Sequence, residues 1–237
     1  MAAVRRNNMF DNLIGRFYEQ FIVQKGYQVM LEGLKATAFI ALGALVIGIV
    51  VGALVAIAKV LPRRGVLGFI LNLIADIYLT IVRGTPIVVQ LLLVYFGLLA
   101  SADLPALIVA ILVFGLNSGA YVAEIIRSGI QAVDKGQMEA GRSLGLSYGV
   151  TMSKIILPQA IKNILPALGN EFIALIKETS VASFITVFDL TRAARSIISQ
   201  YYDPLVPYLV LALMYLVLVL IATVLVRQLE RVLHKSD

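Results

Sequence analysis

The sequence predicts an all-α membrane protein of about five spanning helices, with six as the alternative count, and a short helix in the loop between spans three and four. Three observations carry this. Of the 237 residues, 60% are hydrophobic and only 14% charged, whereas soluble domains run at about 45–50% apolar and about 25% charged. Several charge-free runs reach the ~20 residues that a helix needs to cross a bilayer. One segment, Ser128 to Ser153, instead carries the punctuation of a solvated helix. This composition sets aside a soluble enzyme and a disordered chain. Cysteine is absent and His234 is the only histidine, so the chain alone offers no disulfide framework, thiolate metal site, Cys nucleophile or multi-histidine site. The net charge of +6 reads as loops facing the cytoplasm rather than as a nucleic-acid surface.

Residues 1–29 read as an N-terminal extension. They carry Arg5, Arg6, Arg16 and Lys25 and no long apolar stretch, so no secretory signal is expected. Phe10, Leu13, Ile14, Phe17, Phe21 and Ile22 recur at helical spacing opposite Asp11, Arg16, Glu19 and Gln20. That pattern predicts an amphipathic helix at the membrane surface, with a plain extension of the first span as the alternative.

The first span is expected over residues 30–58, since Ala36 to Ala58 holds no charge. Gly48 and Gly52 form a G-x-x-x-G, read as close packing. Residues 66–98 are too long for one upright span, so they are expected to be tilted, broken or two short pieces. Pro86 removes a backbone donor and clashes with the preceding turn. Arg83-Gly84-Thr85-Pro86 is therefore the expected break, lining a cavity or serving only as a packing kink. Asp76 and Arg83 share a face but lie about 10 Å apart along the axis, too far to pair. The remaining spans are expected over residues 104–127, 155–188 and 204–228, the fourth interrupted by Glu171, Lys177 and Glu178. Pro158 and Pro166 read as kinks, and residues 231–237 as a tail.

Loops one and three together with the tail hold 11 Lys and Arg, against 2 in loops two and four. The third loop and the C-terminus are therefore expected in the cytoplasm. Five spans then place the N-terminus outside, against its own basic residues, a conflict the sequence leaves open.

The third loop is the informative one. Asp134 with Gln137 three residues later predicts an N-cap and capping box. Gly145 predicts a C-terminal stop, and Ser147 can cap the next helix. Gln137, Ala140, Gly141 and Leu144 share one small face that another backbone can approach. A docking element is expected, with a solvated connector as the alternative. Gly136 to Ser143 nearly spells a phosphate-binding P-loop, but Arg142 stands where the lysine belongs and no strand precedes it. Chance similarity is the reading, and no nucleotide site is expected on this chain.

Glu139-Ala140-Gly141, then Gly145, then Ile155-Ile156-Leu157-Pro158 resemble the EAA loop of importer-type ABC permeases: E-A-A, three residues, G, nine residues, I-x-L-P. Gly141 replaces the second alanine. Arg83-Gly84-Thr85-Pro86 with Gln90-Leu91-Leu92 resembles the polar amino-acid branch of that family, the histidine, glutamine and arginine type. So do Asn117-Ser118 with Tyr121-Val122-Ala123-Glu124-Ile125, and Pro158 to Phe172. The resemblance covers residues 30–230. It implies a permease subunit of an ATP-driven, binding-protein-dependent importer in the bacterial plasma membrane, embedded in lipid. It implies a homodimer, or a pairing with a similar second permease, above two ATP-binding subunits that hold ATP and Mg. An extracytoplasmic amino-acid-binding protein delivers substrate, and this chain needs no cofactor and performs no reaction.

The same resemblance makes Gln137, Glu139, Ala140, Gly141, Leu144 and Gly145 the ATPase-coupling residues. It places Asn117, Ser118, Lys177, Glu178 and Thr85 by the substrate path. Lys177 and Glu178 together complement a zwitterion, with a structural ion pair or snorkelling as the alternative. The rival reading is an ion-coupled secondary carrier using Glu171, Lys177 and Glu178; such carriers usually carry internal repeats, and none is visible.

Overall fold

The computed structural model describes residues 12–60 and 65–234, and the described residues contain helices and no strand. Helix α1, residues 12–17, continues as a π-helical turn, Tyr18–Val23. The long α2 (Gly26–Val60) and α3 (Gly65–Gly84) follow. Then comes α4 (Ile87–Leu93), prolonged by a π turn, Val94–Leu98. Helix α5 (Ala106–Gln131) leads to the short α6 (Lys135–Ser143) and α7 (Tyr148–Thr151). A π turn, Met152–Ile156, runs into α8 (Leu157–Glu178). A 3-10 turn, Thr179–Ile185, precedes α9 (Leu190–Tyr201) and α10 (Leu205–His234).

Helices α2, α3, α5 and α10 are long and apolar enough to cross a membrane. The expected long second span is two pieces, α3 and α4, separated at Thr85 and Pro86. The expected fourth span is shorter than residues 155–188, because α8 stops at Glu178. There the buried Thr179 hydroxyl donates to Ile176 O at 2.7 Å, and the chain tightens into a 3-10 turn that ends at a left-handed Thr186, φ 70°. The first span starts earlier than residue 30, at Gly26, directly after a left-handed Lys25.

Side-chain pairings fix the direction of each helix. Gly43 meets Ile111, Gly48 meets Ser118 and Gly52 meets Val122, so α2 and α5 run parallel. Lys59 pairs with Asp76, and Asn72 Nδ2 donates to Ala58 O at 3.1 Å, so α3 returns antiparallel to α2. Gly129 abuts Ile164 while Ser118 reaches Glu171, so α8 is antiparallel to α5. Gly169 abuts Val226, and Ile176 packs with Ala222, so α10 is antiparallel to α8. The C-terminal ends of α2, α5 and α10 therefore share one end of the bundle with α6. Among the described residues, Lys59, Arg127, Lys135, Arg142 and Arg227 belong to that end.

Helix α1 lies at the opposite end. Phe21 is buried with Met30, Leu190, Ala194 and Ile197, and Phe17 stacks on it at 5.3 Å between ring centroids. Arg16 Nη1 donates to Asp203 Oδ1 at 3.1 Å and Gln20 Nε2 to Oδ2 at 2.9 Å. The described N-terminal residues thus sit across the bundle from the C-terminal end of α10. The Arg16 charge is partnered there, which removes one of the basic residues that opposed this placement. Only part of the amphipathic stripe turns inward: Ile14 and Ile22 stay exposed, and Phe10 lies outside the described residues.

The α2–α5 seam is built from small residues on both helices. A Cβ on Gly48 would lie 2.9 Å from Ser118 Oγ, and one on Gly52 2.5 Å from Val122 Cγ1. Reciprocally, a Cβ on Gly115 would lie 2.6 Å from Ile47 Cβ, and one on Gly119 2.9 Å from Val51 Cγ1. Backbones approach closely here, which supplies dispersion contacts where lipid offers no hydrophobic drive. Gly52→Leu is expected to cost about 1–3 kcal/mol by overpacking and to lower the melting temperature in detergent. Gly149→Ala, where a Cβ meets nothing within 4 Å, should leave it unchanged. Equal melting temperatures for the two variants would contradict this seam.

Candidate transport path and docking helix

The break between α3 and α4 is held by one side chain. Pro86 has no N–H, so Val82 O loses its helical partner. Gln90 Nε2 replaces it, donating to Val82 O at 2.8 Å and to Thr85 O at 3.0 Å. The exposed Thr85 turns its hydroxyl back, donating to Ile81 O at 2.8 Å. Pro86 O accepts from the backbone of Val89 and Gln90, which starts α4. The other end of the Gln90 amide accepts from Asn117 Nδ2 on α5 at 3.1 Å. Gln90 thus ties the break to α5, and residue-by-residue reading gave it no such role. The signal was available: a glutamine four residues after a proline, within an apolar run.

Asn117 and Ser118 do not form one site. Neighbouring residues on a helix point about 100° apart, so Asn117 addresses α4 while Ser118 Oγ donates to Glu171 Oε1 on α8 at 2.7 Å. Both are almost fully buried. Lys177 and Glu178 lie at the end of α8, Glu178 about 10 Å along the axis beyond Glu171. Lys177 is exposed and Glu178 half-buried. Neither forms a salt bridge among the described residues.

A second polar region opens between α3 and α5 beside the end of α2. It is an open cleft of about 680 Å³ lined by Lys59, Asp76, Arg83, Tyr121, Glu124 and Arg127. Lys59 pairs with Asp76, and Arg127 pairs with Glu124. The Arg83 guanidinium sits 5.7 Å from the centre of the Tyr121 ring. Asp76 and Arg83 do not pair, as their spacing predicts.

Helix α6 has the expected punctuation with one difference. Asp134 Oδ1 accepts from Gly136 N at 2.6 Å. The reciprocal half of the capping box is missing, because the Gln137 carboxamide faces Gln159 instead, at 3.5 Å. At the other end Gly145 is left-handed, φ +82°. Leu146 N bonds Gly141 O at 3.2 Å and Gly145 N bonds Arg142 O at 3.1 Å, the Schellman pattern. Ser147 Oγ accepts from Val150 N at 3.3 Å and starts α7.

The expected shared face is split. Gly141 is buried, and a Cβ there would lie 2.5 Å from Thr151 Cγ2. Thr151 therefore accounts for glycine in place of the second alanine. Met138 packs beside it against Val133, Ile156 and Ala160. Gln137, Glu139, Ala140, Leu144 and Gly145 remain exposed, Leu144 to 81%.

Residues 48–235 match the family described as binding-protein-dependent transport system inner membrane component. The chain belongs to this family. It is 41% identical over 210 residues to the arginine transport system permease protein ArtQ of Bacillus subtilis, covering 88% of this chain and 94% of that one. It is 38% identical over 206 residues to the glutamine transport system permease protein GlnP of Escherichia coli K12, covering 86% and 92%. A solved structure described as an amino acid ABC transporter with histidines superposes with a TM-score of 0.82 at 43% identity, covering 88% and 96%. The MetNI methionine ABC transporter in an inward-facing form matches at 18% identity with a TM-score of 0.70, which supports the fold alone. The permease is thus a multi-pass membrane subunit of an ABC importer and not an enzyme; ATP hydrolysis lies on partner subunits. A binding protein and ATPase subunits are its partners by family. The ion-coupled carrier is set aside by the same match.

Proposed function

We propose that this permease imports polar amino acids of the arginine and glutamine type, as a homodimer driven by ATP and Mg held on two partner ATPase subunits. The observation that carries this is its likeness to ArtQ and GlnP over nearly the full length of each. Residues 30–230 are the permease domain, residues 1–29 an extension and residues 231–237 a tail. Thr85 and Asn117, joined through Gln90, line the path on the α4 side, and Ser118, Lys177 and Glu178 line it on the α8 side. The exposed Gln137, Glu139, Ala140 and Leu144 are the docking face for the ATPase, with Gly141 and Gly145 setting the shape of α6. The end of the bundle carrying α6 and the C-terminus faces the cytoplasm, and the binding protein delivers substrate at the end carrying α1.

The test is reconstitution in proteoliposomes with the ATPase subunits and ATP on one side and the binding protein on the other. Uptake of labelled L-arginine or L-glutamine should require ATP and the binding protein, and L-leucine should not be carried. ATP-independent uptake, or equal uptake of leucine, refutes the reading. Sidedness is read separately in intact cells. A cysteine at Ala102 should react with an impermeant thiol reagent and one at Ser143 should not, in a chain without native cysteines.

A further inference from the structure

Asp189 is completely buried at the N-cap of α9. One carboxylate oxygen, Oδ1, accepts from Arg192 N at 2.9 Å. The other, Oδ2, has no hydrogen-bond partner, and no salt bridge among the described residues reaches it. A fully buried carboxylate is normally paired with a cationic side chain or coordinated to a metal ion. Capping accounts for one oxygen and leaves the other without a reason.

Its surroundings are oxygen. Thr37 on α2, Thr179 just past α8, Thr191 on α9 and Tyr215 on α10 gather beside it. Thr191 Oγ1 and Tyr215 OH are also buried without a hydrogen-bond partner, so these groups face one another and Asp189 without closing direct bonds. Thr37 Oγ1 accepts from Leu190 N at 3.2 Å, and the Thr179 hydroxyl donates to Ile176 O at 2.7 Å; each oxygen keeps a lone pair for the shared space. Gly33 closes the α2 side, since a Cβ there would lie 2.7 Å from Asp189 O. The donor set selects the ligand. Hard cations take oxygen ligands, and calcium takes several carboxylates. Here one carboxylate stands alone, and no group of three or more His, Cys, Asp or Glu occurs among the described residues. One negative charge balances a monovalent ion. A water molecule would suit the hydroxyls but leave the Asp189 charge buried and unbalanced.

We propose that Asp189 Oδ2 and the hydroxyls of Thr37, Thr179, Thr191 and Tyr215 hold a monovalent alkali cation that pins α9 to α2, α10 and the end of α8. The test is the thermal stability of the purified permease with its ATPase subunits in NaCl, KCl or N-methylglucamine chloride at one ionic strength. A ligand that binds only the folded state stabilises it by mass action. The melting temperature of wild type should therefore rise saturably with Na⁺ or K⁺ and not with N-methylglucamine. Asp189→Asn keeps an equally good N-cap but removes the charge, so its melting temperature should no longer respond to the alkali cation. Tyr215→Phe removes one neutral ligand and should raise the half-saturating concentration about 2- to 10-fold. A wild type indifferent to the alkali cation, as a buried water or a protonated carboxyl would give, overturns the proposal. So does a saturable response that persists unchanged in Asp189→Asn, or in Tyr215→Phe where the asparagine variant does not fold.

Discussion

Leu144→Asp is expected to bring ATP-driven uptake down to background while the permease stays folded and in the membrane. Leu144 is 81% exposed, a large apolar side chain at the end of a short polar helix. Nothing in its own fold requires it there. If it seats in a cleft of the ATPase, it is a desolvated anchor, and truncating such anchors costs about 2 kcal/mol or more, at least ~30-fold in affinity. Aspartate adds an unpaired charge to that cleft, so the loss is larger. The melting temperature of the isolated permease should not move, because no intrachain contact is removed. Capture of the ATPase subunits by tagged permease should fail in step with uptake. Gly141→Ala tests the same helix from its other side: the added carbon meets Thr151, shifting α6 and lowering both stability and coupling. Normal capture and uptake for Leu144→Asp would leave the docking face without support.

Helix punctuation is local, which is why so much of this end of the molecule is legible in the sequence. Asp134, Gly145 and Ser147 act on backbone groups within a few residues of themselves, and Pro86 acts on its own preceding turn. The apolar stretches of α2, α3, α5 and α10 are legible for the same reason, since each needs only its own composition. Across the bundle that advantage ends. Ser118 meets Glu171 53 positions away, and Arg16 meets Asp203 187 positions away; no spacing rule connects them. Asn117 and Ser118 read as one polar pair, yet helix geometry sends them to different neighbours. The stop at Glu178 was hidden because the chain continues without a charge to Phe188, and a buried threonine hydroxyl marks the turn there. Gly141 is the opposite case. It reads as a small departure from a motif, and its reason appears only when Thr151 is seen against it.

Gln90→Leu should produce the largest loss of stability together with a loss of transport. Leucine fills nearly the same volume but neither donates nor accepts. Val82 O and Asn117 Nδ2 are then left without the partners they have now. Each orphaned buried group costs about 1–3 kcal/mol, and irregular backbone at membrane depth is tolerated only where its polar groups are satisfied. The melting temperature should fall by about 2–4 °C for each kcal/mol lost. Uptake should fall as well, because the break and α5 are no longer tied. Gln90→Glu separates the two bonds: a carboxylate still accepts from Asn117 but cannot donate to Val82 O. The decisive comparison is a double-mutant cycle with Pro86→Ala. Alanine restores a backbone N–H to bond Val82 O, so the helix no longer needs the surrogate donor. In that background Gln90→Leu should cost less, by on the order of 1 kcal/mol, while the loss of the Asn117 bond persists. An equal cost in both backgrounds would show that Gln90 serves Asn117 alone, and that the break at Pro86 is satisfied by some other group.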